Sequence, residues 1–146
     1  MAVLDLNLQA KIDELTDLAY TQFEESNTEE SFKLLKQAWN TYPDPKEQWN
    51  EAYNTAKYIF LDYMSLQNLA EAKVWLNNMI RVNNYLHLND EDCYFNYAKY
   101  QFEIGEYKES YDKLKQVVEA AGFRYFENED PKYLEFYKNP DKYFQD

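Results

Sequence analysis

Gln67-Asn68-Leu69-Ala70-Glu71-Ala72 decides the fold, because it recurs in kind as Ser26-Asn27-Thr28-Glu29-Glu30-Ser31 and as Gly105-Glu106-Tyr107-Lys108-Glu109-Ser110. Each stretch begins with turn-forming or capping residues and carries at least one acid before a small residue. From Ser31, Ala72 and Ser110 a leucine follows four residues on (Leu35, Leu76, Leu114), and an apolar residue three after that (Ala38, Met79, Val117). Residues at such spacings share one face of an α-helix. Three matches, 41 and 38 residues apart, mark a helical-hairpin repeat in which each stretch opens the second helix of a pair.

Outward from these stretches the helical period fills the chain. Ile12, Leu15, Leu18, Ala19 and Phe23 form the stripe of a first helix, and Phe32, Leu35, Ala38 and Trp39 that of a second. Between them, Ser26 and Glu29 have capping-box spacing. At Tyr42-Pro43-Asp44-Pro45 the chain turns, and Asp44 with Glu47 predicts a capped third helix from Pro45 to Ser65. That helix carries Trp49, Tyr53, Ala56, Ile59, Phe60 and Tyr63, and a fourth from Leu69 carries Ala72, Leu76, Met79 and Ile80. Asn89-Asp90 offers a cap for a fifth helix bearing Tyr94, Tyr97, Ala98 and Phe102, which Gly105 ends. A sixth runs from Tyr107 to Ala121 with Tyr111, Leu114 and Val117 inward, and stops at Gly122. Asp130-Pro131 and Asn139-Pro140 predict one or two short helices in the tail. Strand patterning is absent.

Composition supports the helical reading and narrows the chemistry. The 146 residues include 27 acids against 15 Lys plus Arg, a net charge of −12, with 18% aromatic side chains. A chain of this length buries roughly 70% of its unfolded surface, and so many aromatics argue against disorder. Four prolines and two glycines are too few turn-formers for a many-stranded sandwich or barrel. With only Gly105 and Gly122, no dinucleotide fingerprint or phosphate loop can be built. Residues 1–90 hold 14 acids and 7 bases and residues 91–146 hold 13 and 8, so neither part is a basic patch for nucleic acid. A single cysteine, an unremarkable start at Met1–Ala10 and a longest apolar run of only Tyr58-Ile59-Phe60-Leu61 imply a cytoplasmic protein that neither spans nor binds a membrane.

Few residues suggest bond-making chemistry. Cys93 and His87 lie six apart, and a Cys–His nucleophile is conceivable. Beside Tyr94 at a helix start, Cys93 reads better as a small packing residue. Asp90-Glu91-Asp92 and Glu127-Asn128-Glu129-Asp130 lack the alternation and glycine of a calcium loop, and acids there favour helix N-termini. No cofactor, metal or catalytic role is expected.

The repeat resembles the tetratricopeptide repeat (TPR) family over roughly Ile12 to Gly122. Leu15-x-x-Leu18-Ala19, Ala56-x-x-Ile59-Phe60-x-x-Tyr63 and Tyr94-x-x-Tyr97-Ala98 agree in part with its first helices, and Pro43 stands where the family often has its closing proline. The departures are a longer period than the family's ~34 residues, serine for alanine at Ser31 and Ser110, and the bulky Phe60 at a small-residue position. The resemblance implies an all-α fold: about three antiparallel hairpins stacked in a short right-handed solenoid with a short helical C-terminal cap. Within one domain, the hairpins would occupy residues 8–43, 44–88 and 89–122, and the cap residues 123–146. It also implies a concave, partner-binding wall of first helices, formed by Asp13, Thr16, Tyr20 and Glu24, then Asn54, Lys57 and Leu61, then Asp92, Phe95, Lys99 and Glu103. The carboxylate clamp of chaperone-binding members is not carried over, because Asp13 and Tyr20 stand at its Lys and Asn positions.

The tail, with Gly122-Phe123-Arg124 followed by Glu129-Asp130-Pro131-Lys132-Tyr133, looks like the end of small TPR-like immunity proteins encoded beside bacterial polymorphic toxins. That resemblance implies a protein, monomeric or dimeric when free, that binds and neutralises a cognate toxin domain. A charge of −12 suits a basic partner. A TPR-like scaffold or adaptor holding a peptide is the alternative.

Overall fold

Asp5 starts the first helix by accepting hydrogen bonds from the backbone N–H groups of Asn7 (3.0 Å) and Leu8 (3.2 Å). The computed structural model describes residues 2–144. Their helices are α1 (Leu6–Glu24), α2 (Thr28–Thr41), α3 (Asn50–Ser65), α4 (Leu69–Leu86), α5 (Asp90–Glu103), α6 (Tyr107–Ala121) and α7 (Pro131–Lys138). Short 3₁₀ turns lie at Lys46–Gln48, Arg124–Phe126 and Pro140–Lys142, and no strand occurs among the described residues. Adjacent helices pack as pairs, α1 with α2, α3 with α4, and α5 with α6. The described residues form two compact units that divide between Leu88 and Asn89.

The same turn joins all three pairs. The N–H of Asn27 reaches the Gln22 carbonyl (2.8 Å), that of Asn68 the Tyr63 carbonyl (3.0 Å), and that of Glu106 the Gln101 carbonyl (2.8 Å). The preceding residues, Ser26, Gln67 and Gly105, have φ of +67°, +59° and +84° and bond back to Phe23, Met64 and Phe102. This is the Schellman closure, in which a left-handed residue lets the chain double back while the last carbonyls stay bonded. Ser26 is therefore the left-handed residue that ends α1 and not the head of a capping box. Asn27 holds the N-cap position, and its Nδ2 donates to Gln22 Oε1 at 2.9 Å.

In the first unit, Ile12, Leu15 and Ala19 of α1 are buried, as are Phe32, Leu35, Ala38 and Trp39 of α2. Leu18, expected inward, is 46% exposed, because the 3.6-residue rotation that buries Leu15 and Ala19 turns it aside. Phe32 stacks on Tyr63 of α3 at 3.8 Å between ring centroids, and Trp39 meets Trp75 of α4 edge-on at 5.4 Å. The third helix starts later than expected, at Asn50. Lys46 Nζ binds the Tyr42 carbonyl (2.9 Å) and Asp44 Oδ1 (3.2 Å), and Trp49 Nε1 donates to the Pro43 carbonyl (2.8 Å). Asp44 is thus used by a lysine and does not cap α3.

In the second unit, α5 is buried on two sides, with Ala98 against α6 and Phe95 and Lys99 beneath the segment that follows Gly122. Tyr94, expected inward, is consequently 45% exposed. Asn89 occupies the N-cap position of α5 without a side-chain cap bond, whereas Asp130 caps α7 by accepting from the Lys132 N–H at 3.0 Å. Fully buried Phe136 of α7 centres an aromatic cluster with Phe102 (5.1 Å), Tyr107 (5.9 Å) and Tyr143 (5.0 Å).

Candidate protein-binding cleft

Residues 16, 17, 20, 23 and 24 lie on one face of α1, each one or two helical turns from another. Residues 58, 61 and 62 do the same on α3. The two faces border a solvent-open cleft of about 510 Å³ within the first unit, lined by Thr16, Asp17, Tyr20, Phe23 and Glu24, with Leu35 beneath and Tyr58, Leu61 and Asp62 opposite. Tyr20 is 70% exposed and Tyr58 is exposed as well, so aromatic faces border the opening. The charged residues in the lining are all acids, Asp17, Glu24 and Asp62. Burial pushes the Asp62 carboxyl up to about 6, well above the usual aspartate value.

Of the expected wall, Thr16, Tyr20, Glu24 and Leu61 meet in this cleft. Asp13 is exposed further along α1, where Gln9 Nε2 donates to it at 2.9 Å. Asn54 is exposed and Lys57 half-buried on α3, outside the cleft lining. On α5 the placement differs because the chain's own tail lies there. Phe95 and Lys99 are 2% and 5% exposed. Phe95 lies against Phe126 (5.3 Å) and Tyr125 (5.7 Å), and Lys99 Nζ pairs with Glu129 at 3.0 Å. Glu103 accepts from the Tyr133 hydroxyl (2.8 Å) and pairs with Lys132 (2.6 Å). Burial, then this bond and the surrounding carboxylates, raise the Tyr133 phenol above its ordinary range. Asp92 is half-buried in the first turn of α5 and accepts from Asn96 Nδ2 at 3.3 Å.

Sequence reasoning missed Asp17, Phe23, Leu35, Tyr58 and Asp62 as cleft residues. The available signal was helical register, Asp17 and Phe23 three residues from Tyr20, Tyr58 three from Leu61 and Asp62 four from Tyr58, whereas nothing in the register marked Leu35 of α2. A broader depression of about 720 Å³ lies over α2 and holds Lys33 and Lys36. There the Lys36 ammonium already donates to the Tyr63 hydroxyl at 2.7 Å, so it braces the Phe32–Tyr63 stack. Of the two residues considered for catalysis, His87 is exposed at the left-handed end of α4 and Cys93 is buried in α5. Among the described residues, no group of three or more His, Cys, Asp or Glu side chains is arranged to hold a metal ion. No helix among them is long and apolar enough to cross a membrane.

Comparison with known proteins finds no family model, curated protein or solved structure that matches this chain.

Proposed function

We propose that the protein is a non-catalytic, TPR-like binding module, an immunity protein that neutralises a toxin domain by holding it. The observation that carries this reading is the acidic, aromatic-edged cleft between α1 and α3. Exposed tyrosines supply contact area at low entropic cost, and carboxylates around them select a basic surface. The three hairpins closed by the same turn, and the serine-to-alanine crossings of the first and third, support the TPR-like part. With a net charge of −12, long-range attraction speeds encounter with a basic partner, and the apolar contacts slow its departure.

The test is co-expression with the toxin-domain protein encoded in the same operon, followed by co-purification and kinetics. The expected result is rescue of growth and a complex of nanomolar affinity or tighter, whose on-rate falls as salt rises. Cells that die despite the protein's accumulation would refute the immunity reading. Rescue would be neither needed nor seen if the partner were a harmless peptide held by an adaptor.

A further inference from the structure

We infer that the α1–α3 cleft is a receptor for an arginine side chain of a basic partner protein, seated between Tyr20 and Tyr58 with its guanidinium toward Asp62. The inference deepens the proposed function and rests on that reading. Its basis is charge and shape complementarity in one place. The cleft is large enough for a single long side chain and its flanking backbone. Its rim is aromatic and exposed, and its three charged residues are carboxylates.

Asp62 distinguishes this cleft from an ordinary acidic surface. It is half-buried in a cleft whose lining includes the apolar Phe23, Leu35 and Leu61, and no hydrogen bond or ion pair to its carboxylate is found among the described residues. Burial without a cation disfavours the charged form of a carboxylate and raises its pKa. A seated cation reverses that. Arginine fits better than lysine, because its planar, weakly hydrated guanidinium stacks on aromatic faces and grips a carboxylate with two parallel bonds. The other titratable groups that line the cleft are Asp17, Tyr20 and Glu24 of α1 and Tyr58 of α3, while α2 contributes only Leu35. A cation seated at Asp62 favours the charged carboxylate, so where the pH lies below about 6 its arrival expels the Asp62 proton.

The experiment is a nuclear magnetic resonance titration of the full chain with N-acetyl-arginine amide and, separately, with its neutral isostere N-acetyl-citrulline amide. Saturable shifts at Tyr20, Phe23, Tyr58, Leu61 and Asp62 are expected with the arginine probe, with affinity at least about tenfold weaker for citrulline. Arginine affinity is expected to drop about threefold or more from pH 7 to pH 5. Asp62→Asn, which keeps shape and fold, is expected to weaken arginine about tenfold and leave citrulline unchanged. Equal binding of the two probes, or arginine shifts spread over all acidic faces without saturation, would overturn the inference. In a recovered toxin complex, Tyr20→Ala and Asp62→Asn without effect on affinity would likewise remove this cleft while leaving the immunity reading intact.

Discussion

The Ser110 hydroxyl donates to the carbonyl of Ala98 at 2.7 Å, and both residues are fully buried where α5 crosses α6. The same twelve-residue relation recurs in the first pair, where the Ser31 hydroxyl reaches the Ala19 carbonyl at 2.8 Å. In the middle pair the corresponding residues, Ala72 and Phe60, are fully buried and carry no hydroxyl. Small residues let two backbones approach, and a buried hydroxyl must then find an acceptor.

Ser110→Ala is therefore expected to lower unfolding free energy by about 1 kcal/mol, the net value of a buried hydrogen bond. Ser110→Val removes the bond and also overfills the crossing, at a cost of about 2–3 kcal/mol. Urea unfolding of the two variants checks the ranking. Equal losses would mean that the crossing has room to spare.

The three closing turns make an independent prediction. Gly105 stands at φ +84° with open space around it, so an added methyl meets no atom and suffers only from the left-handed backbone. Gly105→Ala should cost about 1 kcal/mol, whereas Gln67→Gly, at φ +59°, should gain several tenths to about 1 kcal/mol. Thermal melts of both variants give the signs directly, and like signs would contradict the strain argument.

Asp62 makes stability depend on pH with an unusual sign. Its folded pKa of about 6 lies above the reference 3.8, so the folded state binds the proton more tightly. The stability it contributes is present below about pH 4, falls as pH rises toward 6, and is gone above that range. Asp62→Asn should consequently be more stable than the natural protein at pH 7, by at most about 2 kcal/mol because solvent screens the half-exposed carboxyl, with the difference vanishing near pH 4. Denaturation midpoints across pH 4–8 test this, and a constant difference would sink it.

Stability and binding should separate between the two units. Phe136→Ala empties the centre of the tail's aromatic cluster and should cost about 3–5 kcal/mol. Tyr20→Ala removes a side chain that is 70% exposed and should change stability by less than about 0.5 kcal/mol while weakening partner binding. Calorimetry on both, with an affinity measurement on the second, distinguishes a support residue from a contact residue.

Periodicity in the amino-acid order by itself marked the first six helices, their pairing and the buried stripes such as Leu35, Leu76 and Leu114, because the 3.6-residue rotation is a local property of the backbone, and it left the tail as one or two short helices. The resemblance to the TPR family, and not the period, pointed to Tyr20 and Leu61, which both line the α1–α3 cleft. Only the tertiary structure decided that Asp44 would serve Lys46, and that Ser26 would be a left-handed turn residue. Likewise, only packing placed Asp62 beside an apolar wall and laid the tail over Phe95 and Lys99. Each of these depends on which distant group arrives at a side chain, and a one-dimensional period carries the direction of a side chain on its own helix without carrying its neighbour on the next.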